Sequence, residues 1–148
     1  MRLLVINGPN LNMLGRRHAE HYGGETLESI EQALRQQAAE LGCLLAFFQS
    51  NHEGAIIDFI QDMAPKADGI LINPGALTHY GYSLHDALVD AGLPVVEVHL
   101  SDIHAREEWR RTSVISDVAF KQVSGLKAQS YYLGLEALVN RIRGQEHG

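Results

Sequence analysis

Short apolar runs of strand length recur along this chain and alternate with segments of helical spacing. Leu3–Ile6, Leu44–Phe48, Gly69–Ile72 and Pro94–Val98 are nearly continuous in apolar residues, the pattern of strands buried on both faces. Between the first two, Leu27, Ile30, Leu34, Ala38 and Leu41 fall at helical intervals, with Thr26 placed as an N-cap and Gly42 as a stop. Ile56, Ile57, Phe59, Ile60 and Met63 mark a second helix ending before Pro65, and a third spans about Ser83 to Ala91. A fifth strand near Val118–Val123 and a final helix from about Ser130 to Arg143 complete the series. Strands joined through helices must run parallel, with right-handed crossovers.

The expected fold class is therefore α/β: a flavodoxin-like three-layer sandwich with a five-stranded parallel sheet and about five helices, in one domain over residues 1–148. In such folds ligands bind beyond the carboxyl ends of the strands, near the point where strand order reverses. The strand exits here are polar: Asn7–Asn12, Asn73–His79 and His99–Arg111. At the last of them Glu97 and His99 are two residues apart on a strand. They share a face, with Cα atoms roughly 6–7 Å apart, so the carboxylate can hold the imidazole and favour its protonated form. Arg106, Arg110 and Arg111 follow on an expected short helix. A positioned His beside guanidiniums suits proton transfer on an anionic substrate. A structural ion-pair cluster would use the same residues, but convergence of three polar exits on one sheet edge favours an active site. The segment from about 15 to 25 is polar and aperiodic, with Gly15, Gly23 and Gly24 at its ends. It reads as a lid carrying Arg17 and Tyr22.

Composition excludes several classes. The net charge of −6 leaves no basic stripe for a nucleic-acid backbone. No apolar run reaches bilayer length, and the N-terminus runs straight into a strand without a signal-peptide pattern. Cys43 is the single cysteine, so no intrachain disulfide can form and a reducing compartment is expected. The chain reads as cytoplasmic.

Taken together, Ile6-Asn-Gly-Pro-Asn-Leu-Asn12, Leu14-Gly-Arg-Arg17, Tyr22-Gly23, Phe48-Gln-Ser-Asn-His-Glu-Gly54, Ile72-Asn-Pro-Gly-Ala76, Thr78-His79, Glu97-Val-His-Leu-Ser101 and Ile103-His-Ala-Arg-Glu-Glu108 resemble the type II 3-dehydroquinate dehydratases. The resemblance covers most of the chain, in order. It implies a hydro-lyase of the shikimate pathway that removes water from 3-dehydroquinate by anti elimination through an enolate or enol, with no cofactor and no metal. It further implies that Tyr22 is the base, with Arg17 favouring the phenolate, and that Asn10 holds a water against the developing enolate oxygen. His99 would be the general acid, oriented by Glu97. Asn73, His79, Asp86, Arg110 and the backbone amides of Leu100 and Ser101 match substrate-binding positions, and Arg106 would position the site or the lid. The implied assembly is a homododecamer, a tetramer of trimers, in which a neighbour supplies one substrate-facing Asp.

The chain departs from the family pattern at Ala19, Leu77, Tyr80–Ser83, His85 and Asp102. The changes around His85 bear on trimer contacts more than on chemistry. A Schiff-base mechanism would need a lysine at the converging exits, and Lys66, Lys121 and Lys127 lie elsewhere. A metal hydrolase would need a ligand spacing such as His-Glu-x-x-His, which is absent from the sequence. The alternative from another class is a non-catalytic flavodoxin-like module that binds a small anion. The fold is the same for both, and only the set Tyr22, Arg17, Asn10 and His99 separates them.

Overall fold

The computed structural model describes residues 1–16 and 24–147. Five parallel strands form one sheet in the order β2-β1-β3-β4-β5, with β1 Arg2–Asn7, β2 Leu44–Gln49, β3 Gly69–Asn73, β4 Val95–Val98 and β5 Lys121–Val123. Among the described residues four α-helices pack on it: α1 Leu27–Leu41, α2 Glu53–Met63, α3 Tyr82–Ala91 and α4 Gln129–His147. Five parallel strands and the doubly wound arrangement match the expected fold class. The short helix expected after β4 does not form as an α-helix. Instead the chain after β4 makes two 3-10 turns, Ile103–Ala105 and Glu108–Arg111, because that stretch offers no apolar face long enough to pack a helix. Among the described residues no helix is long and apolar enough to cross a membrane.

Local chemistry sets the helix ends. Thr26 accepts from the Ser29 amide while Ser29 Oγ accepts from the Thr26 amide, a reciprocal capping box that opens α1. Gly42 closes it in the left-handed region at φ 75°.

Strand alternation divides the core in two. Leu3 and Val5 of β1, Leu71 of β3, and Val96 and Val98 of β4 face α1 and α4, packing against Leu34, Tyr131, Leu135 and Leu138. Leu4 and Ile6, Ile70 and Ile72, and Val95 face α2 and α3, against Ile56, Ile60, Leu84 and Leu88. Continued by one residue, the same period-2 rule sends Asn7 and Asn73 toward α4, and sends Glu97 and His99 toward the other face. The sheet thus assigns its polar exit residues to sides before any of them finds a partner.

Strand order reverses between β1 and β3, and there the two exits interlock. Asn7 and Asn73 are register partners, and the Gly8 amide donates to the Asn73 carbonyl at 2.8 Å. A Cβ on Gly8 would sit 2.3 Å from the Pro74 carbonyl oxygen, and Gly75 turns at φ 60° under Pro9. Neither position admits a side chain without moving backbone. Gly8→Ala should therefore cost about 1–3 kcal/mol, the usual range for overpacking, read as a lower urea midpoint with unchanged slope. A midpoint equal to wild type would show that the two turns can separate at no cost.

Candidate active site

A cavity opens at the carboxyl edge of the sheet above the β1–β3 switch. Its lining includes Asn10, Asn73, His79, His99, Leu100, Ser101, Arg106 and Arg110, contributed by three separate strand exits. Eight of the residues expected from sequence therefore meet in one place. Glu97 lies behind His99, fully buried. Asp86 is on α3, its side chain 79% exposed and paired with His85, and it does not line this cavity. Tyr22 and Arg17 lie outside the described residues.

The centre of the site is the Glu97–His99 pair. His99 Nε2 is 2.6 Å from Glu97 Oε2, which leaves Nδ1 as the ring nitrogen free for the cavity. A buried carboxylate must find several donors, and Glu97 does. Thr78 Oγ1 donates to Oε2, and Ser113 Oγ lies 2.8 Å and 2.9 Å from the two oxygens. Burial alone would push the Glu97 carboxyl up. The hydrogen bonds from His99, Thr78 and Ser113 outweigh it and hold the group below the ordinary Glu value, so it is ionised at neutral pH.

His79 is tuned the other way. Its Nδ1 donates to the Thr112 carbonyl at 2.7 Å, which makes Nε2 the lone-pair nitrogen. Burial lowers its affinity for a proton, and the nearby His99 and Arg110 lower it further, against the Thr112 bond that raises it. The site thus contains one imidazole backed by a carboxylate and one held neutral as an acceptor. Trp109 meets the edge of the His79 ring at 5.1 Å, and the Arg110 guanidinium lies 4.0 Å over the indole.

The arginines are fixed by one acidic side chain. Glu107 Oε2 is 2.6 Å from Arg110 Nε and 4.0 Å from Arg106 Nε. The Arg110 approach lies off the N–H direction, so the contact is a charge pair rather than an aligned hydrogen bond. Arg106 also reaches Ser101 Oγ at 3.5 Å. Asn10, at φ 71°, is held by its amide donating to Asn51 Oδ1 at 2.9 Å, and Gln49 Nε2 secures the same turn through the Gly8 carbonyl. Ser113, Glu107 and Asn51 escaped sequence reasoning as site residues, since their roles are to hold other side chains. The one available signal was that Glu97, as a charged residue inside an apolar strand, required hydroxyl or cationic partners somewhere in the chain.

Fold and site together define an open parallel α/β protein with an acid–base centre and fixed cations at its switch point. The model of the class II dehydroquinase family matches residues 1–139. The 3-dehydroquinate dehydratase of Roseiflexus castenholzii is 54% identical over 148 residues, covering 100% of this chain and 94% of that protein. That of Halothermothrix orenii is 53% identical over 142 residues, 96% of each. The crystal structure of the type II dehydroquinase from Butyrivibrio crossotus superposes with a TM-score of 0.91 at 42% identity, covering 93% of this chain and 97% of that one. The chain belongs to the class II dehydroquinase family. A non-catalytic module is not favoured beside these relatives.

Because the folded Glu97 value lies below the unfolded one, its ionised form contributes stability above the unfolded-chain value of about 4.3. That contribution is lost as pH falls toward the lower, folded value. Wild type should lose more of its urea midpoint between pH 6 and pH 3.5 than Glu97→Gln does. Parallel pH profiles in the two proteins would refute the ionised, clamped carboxylate.

Proposed function

We propose that this chain is a 3-dehydroquinate dehydratase of the hydro-lyase class, converting 3-dehydroquinate to 3-dehydroshikimate by anti elimination of water. The observation that carries the reading is His99, backed by the buried Glu97, in the wall of a cavity that Asn10, Arg106 and Arg110 also line. Three assignments follow, that of Tyr22 from the family pattern alone and those of Asn10 and His99 from the pattern with this geometry in support.

Tyr22 takes the proton beside the ketone, and the electrons of that C–H bond pass into an enolate. A phenol ionises near ~10, so it needs a cation such as Arg17 to act at neutral pH. Asn10 holds a water against the enolate oxygen, an electrostatic role set before reaction. As the enolate collapses, the C–O bond breaks, and the proton on His99 Nδ1 passes to the departing hydroxyl, which leaves as water. The Glu97 carboxylate orients the ring and balances its positive charge before that transfer.

Binding falls to the remaining residues. The substrate is a hydroxylated carboxylate. The backbone amides of Leu100 and Ser101 with the Arg110 guanidinium supply donors for its anionic end. The neutral His79 accepts from a hydroxyl, Asn73 binds beside it, and Arg106 positions the site or the lid. No cofactor is needed for this chemistry. We further assign the whole of residues 1–148 to one catalytic domain with the lid at about 15–25, working in the cytoplasm as a homododecamer in which Asp86 reaches a neighbour's site. Light scattering of the purified protein tests the assembly.

Purified protein with 3-dehydroquinate should develop the ultraviolet absorbance of the conjugated enone, unaffected by a chelator. Tyr22→Phe should lose turnover by at least about 10²-fold, within the range for removal of a general base, with substrate affinity nearly kept. Near-normal turnover in that variant would sink Tyr22 as base. His99→Ala should also lower kcat, and a rise in KM alone would make His99 a binding residue.

A further inference from the structure

Beneath the cavity, on the face of the sheet away from Glu97, lies a second polar cluster that the proposed mechanism leaves unused. Tyr131, in the first turns of α4, is fully buried and is the largest such side chain in the core. Its hydroxyl lies 2.8 Å from Asn73 Nδ2 and 2.6 Å from Asn7 Oδ1. We propose that Tyr131 is a positioning residue for the active site, its hydroxyl holding the Asn73 amide so that an Nδ2 hydrogen faces the substrate. The inference rests on the reading of the cavity as the dehydratase site.

The direction of the chain of bonds follows from donor inventory. Asn7 Oδ1 can only accept, so the single proton of the Tyr131 hydroxyl points to it. The phenolic oxygen is then an acceptor toward Asn73, whose Nδ2 must donate. At its other end Asn73 Oδ1 takes the Gly75 amide at 3.1 Å. Both ends of the amide are thereby committed, and the second Nδ2 hydrogen is what Asn73 offers to the cavity it lines. A donor at that point recognises an acceptor oxygen, either a hydroxyl lone pair or a carboxylate of the hydroxy acid.

The Gly75 N–H holds only the oxygen end of the amide, and the amino end would otherwise be free to swing about that bond. Tyr131 removes that freedom. Burial pushes the phenol well above its ordinary ionisation range, so the hydroxyl remains a donor wherever the enzyme works, and its effect should not vary with pH. The arrangement also gives a partner to the buried Oδ1 of Asn7, the last residue of β1.

Tyr131→Phe deletes one oxygen and keeps the ring. Wild type, Tyr131→Phe, Asn73→Ala and the double variant should be assayed for turnover of 3-dehydroquinate at pH 6, 7 and 8, with unfolding midpoints measured alongside. The expected result is a rise in KM of about tenfold in Tyr131→Phe, near 1.4 kcal/mol, with kcat within threefold and no change across pH. In the Asn73→Ala background the same substitution should have no further effect on KM, because its target is gone. An unchanged KM with a lowered midpoint would reduce Tyr131 to a core residue and overturn the proposal, as would KM effects that multiply in the double variant. If Tyr131→Phe is not recovered folded, Asn7→Ala frees the same hydroxyl from its other end. It should raise KM in the wild-type background and leave it unchanged in Asn73→Ala, and an unchanged KM in both overturns the proposal. A wild-type protein without dehydratase activity would instead fail the parent reading, a result distinct from any of these.

Discussion

The working edge of this sheet depends on one charge taken out of water. Glu97 occupies a position in β4 where its neighbours Val96 and Val98 are fully buried. A carboxylate there is tolerable only if its oxygens are fully engaged, and the cost of leaving one unpaired is several kcal/mol. That demand pulls Thr78 from the β3 exit and Ser113 from the segment after the second 3-10 turn onto the same group. His99 completes the set. The β3 and β4 exits are tied together because the carboxylate needs partners from each, and the cavity above them takes part of its shape from that knot.

The two faces of the sheet carry different halves of the site. Strand alternation places Glu97 and His99 toward α2 and α3, where the proton chemistry is assembled. The same alternation places Asn7 and Asn73 toward α4, where Tyr131 orders the amides. The glycine-containing turns of β1 and β3 bring both sets to one edge at the switch point. Gly8 is pressed against the Pro74 carbonyl, so the two exits behave as one rigid unit. Binding geometry and acid–base geometry are thus set by separate packing interactions on opposite sides of a shared backbone.

Among the described residues, much of this was legible in the sequence. The N-cap at Thr26, the stop at Gly42 and the apolar strands were read correctly, since each rests on local sterics or a short periodicity. The pairing of Glu97 with His99 was equally accessible, because residues two apart on a strand must share a face. The stretch after β4 was misread as a short helix. Its arginines and glutamates permit helix, but no apolar stripe anchors one, and tight turns hold the guanidiniums instead.

The sequence by itself determined what depends on neighbours along the chain: strand and helix order, parallel pairing, the edge where ligands bind, and the residues capable of proton transfer there. Apart from the Glu97–His99 pair, tertiary structure alone decided the partners of buried polar atoms. Ser113 is 16 residues from Glu97, and Tyr131 is 124 from Asn7, too far for any periodicity to connect them. The physical reason is that a hydroxyl gains meaning only from what it faces. A serine or tyrosine reads the same in a sequence whether it meets solvent or holds the one charge, or the one amide, on which a site depends.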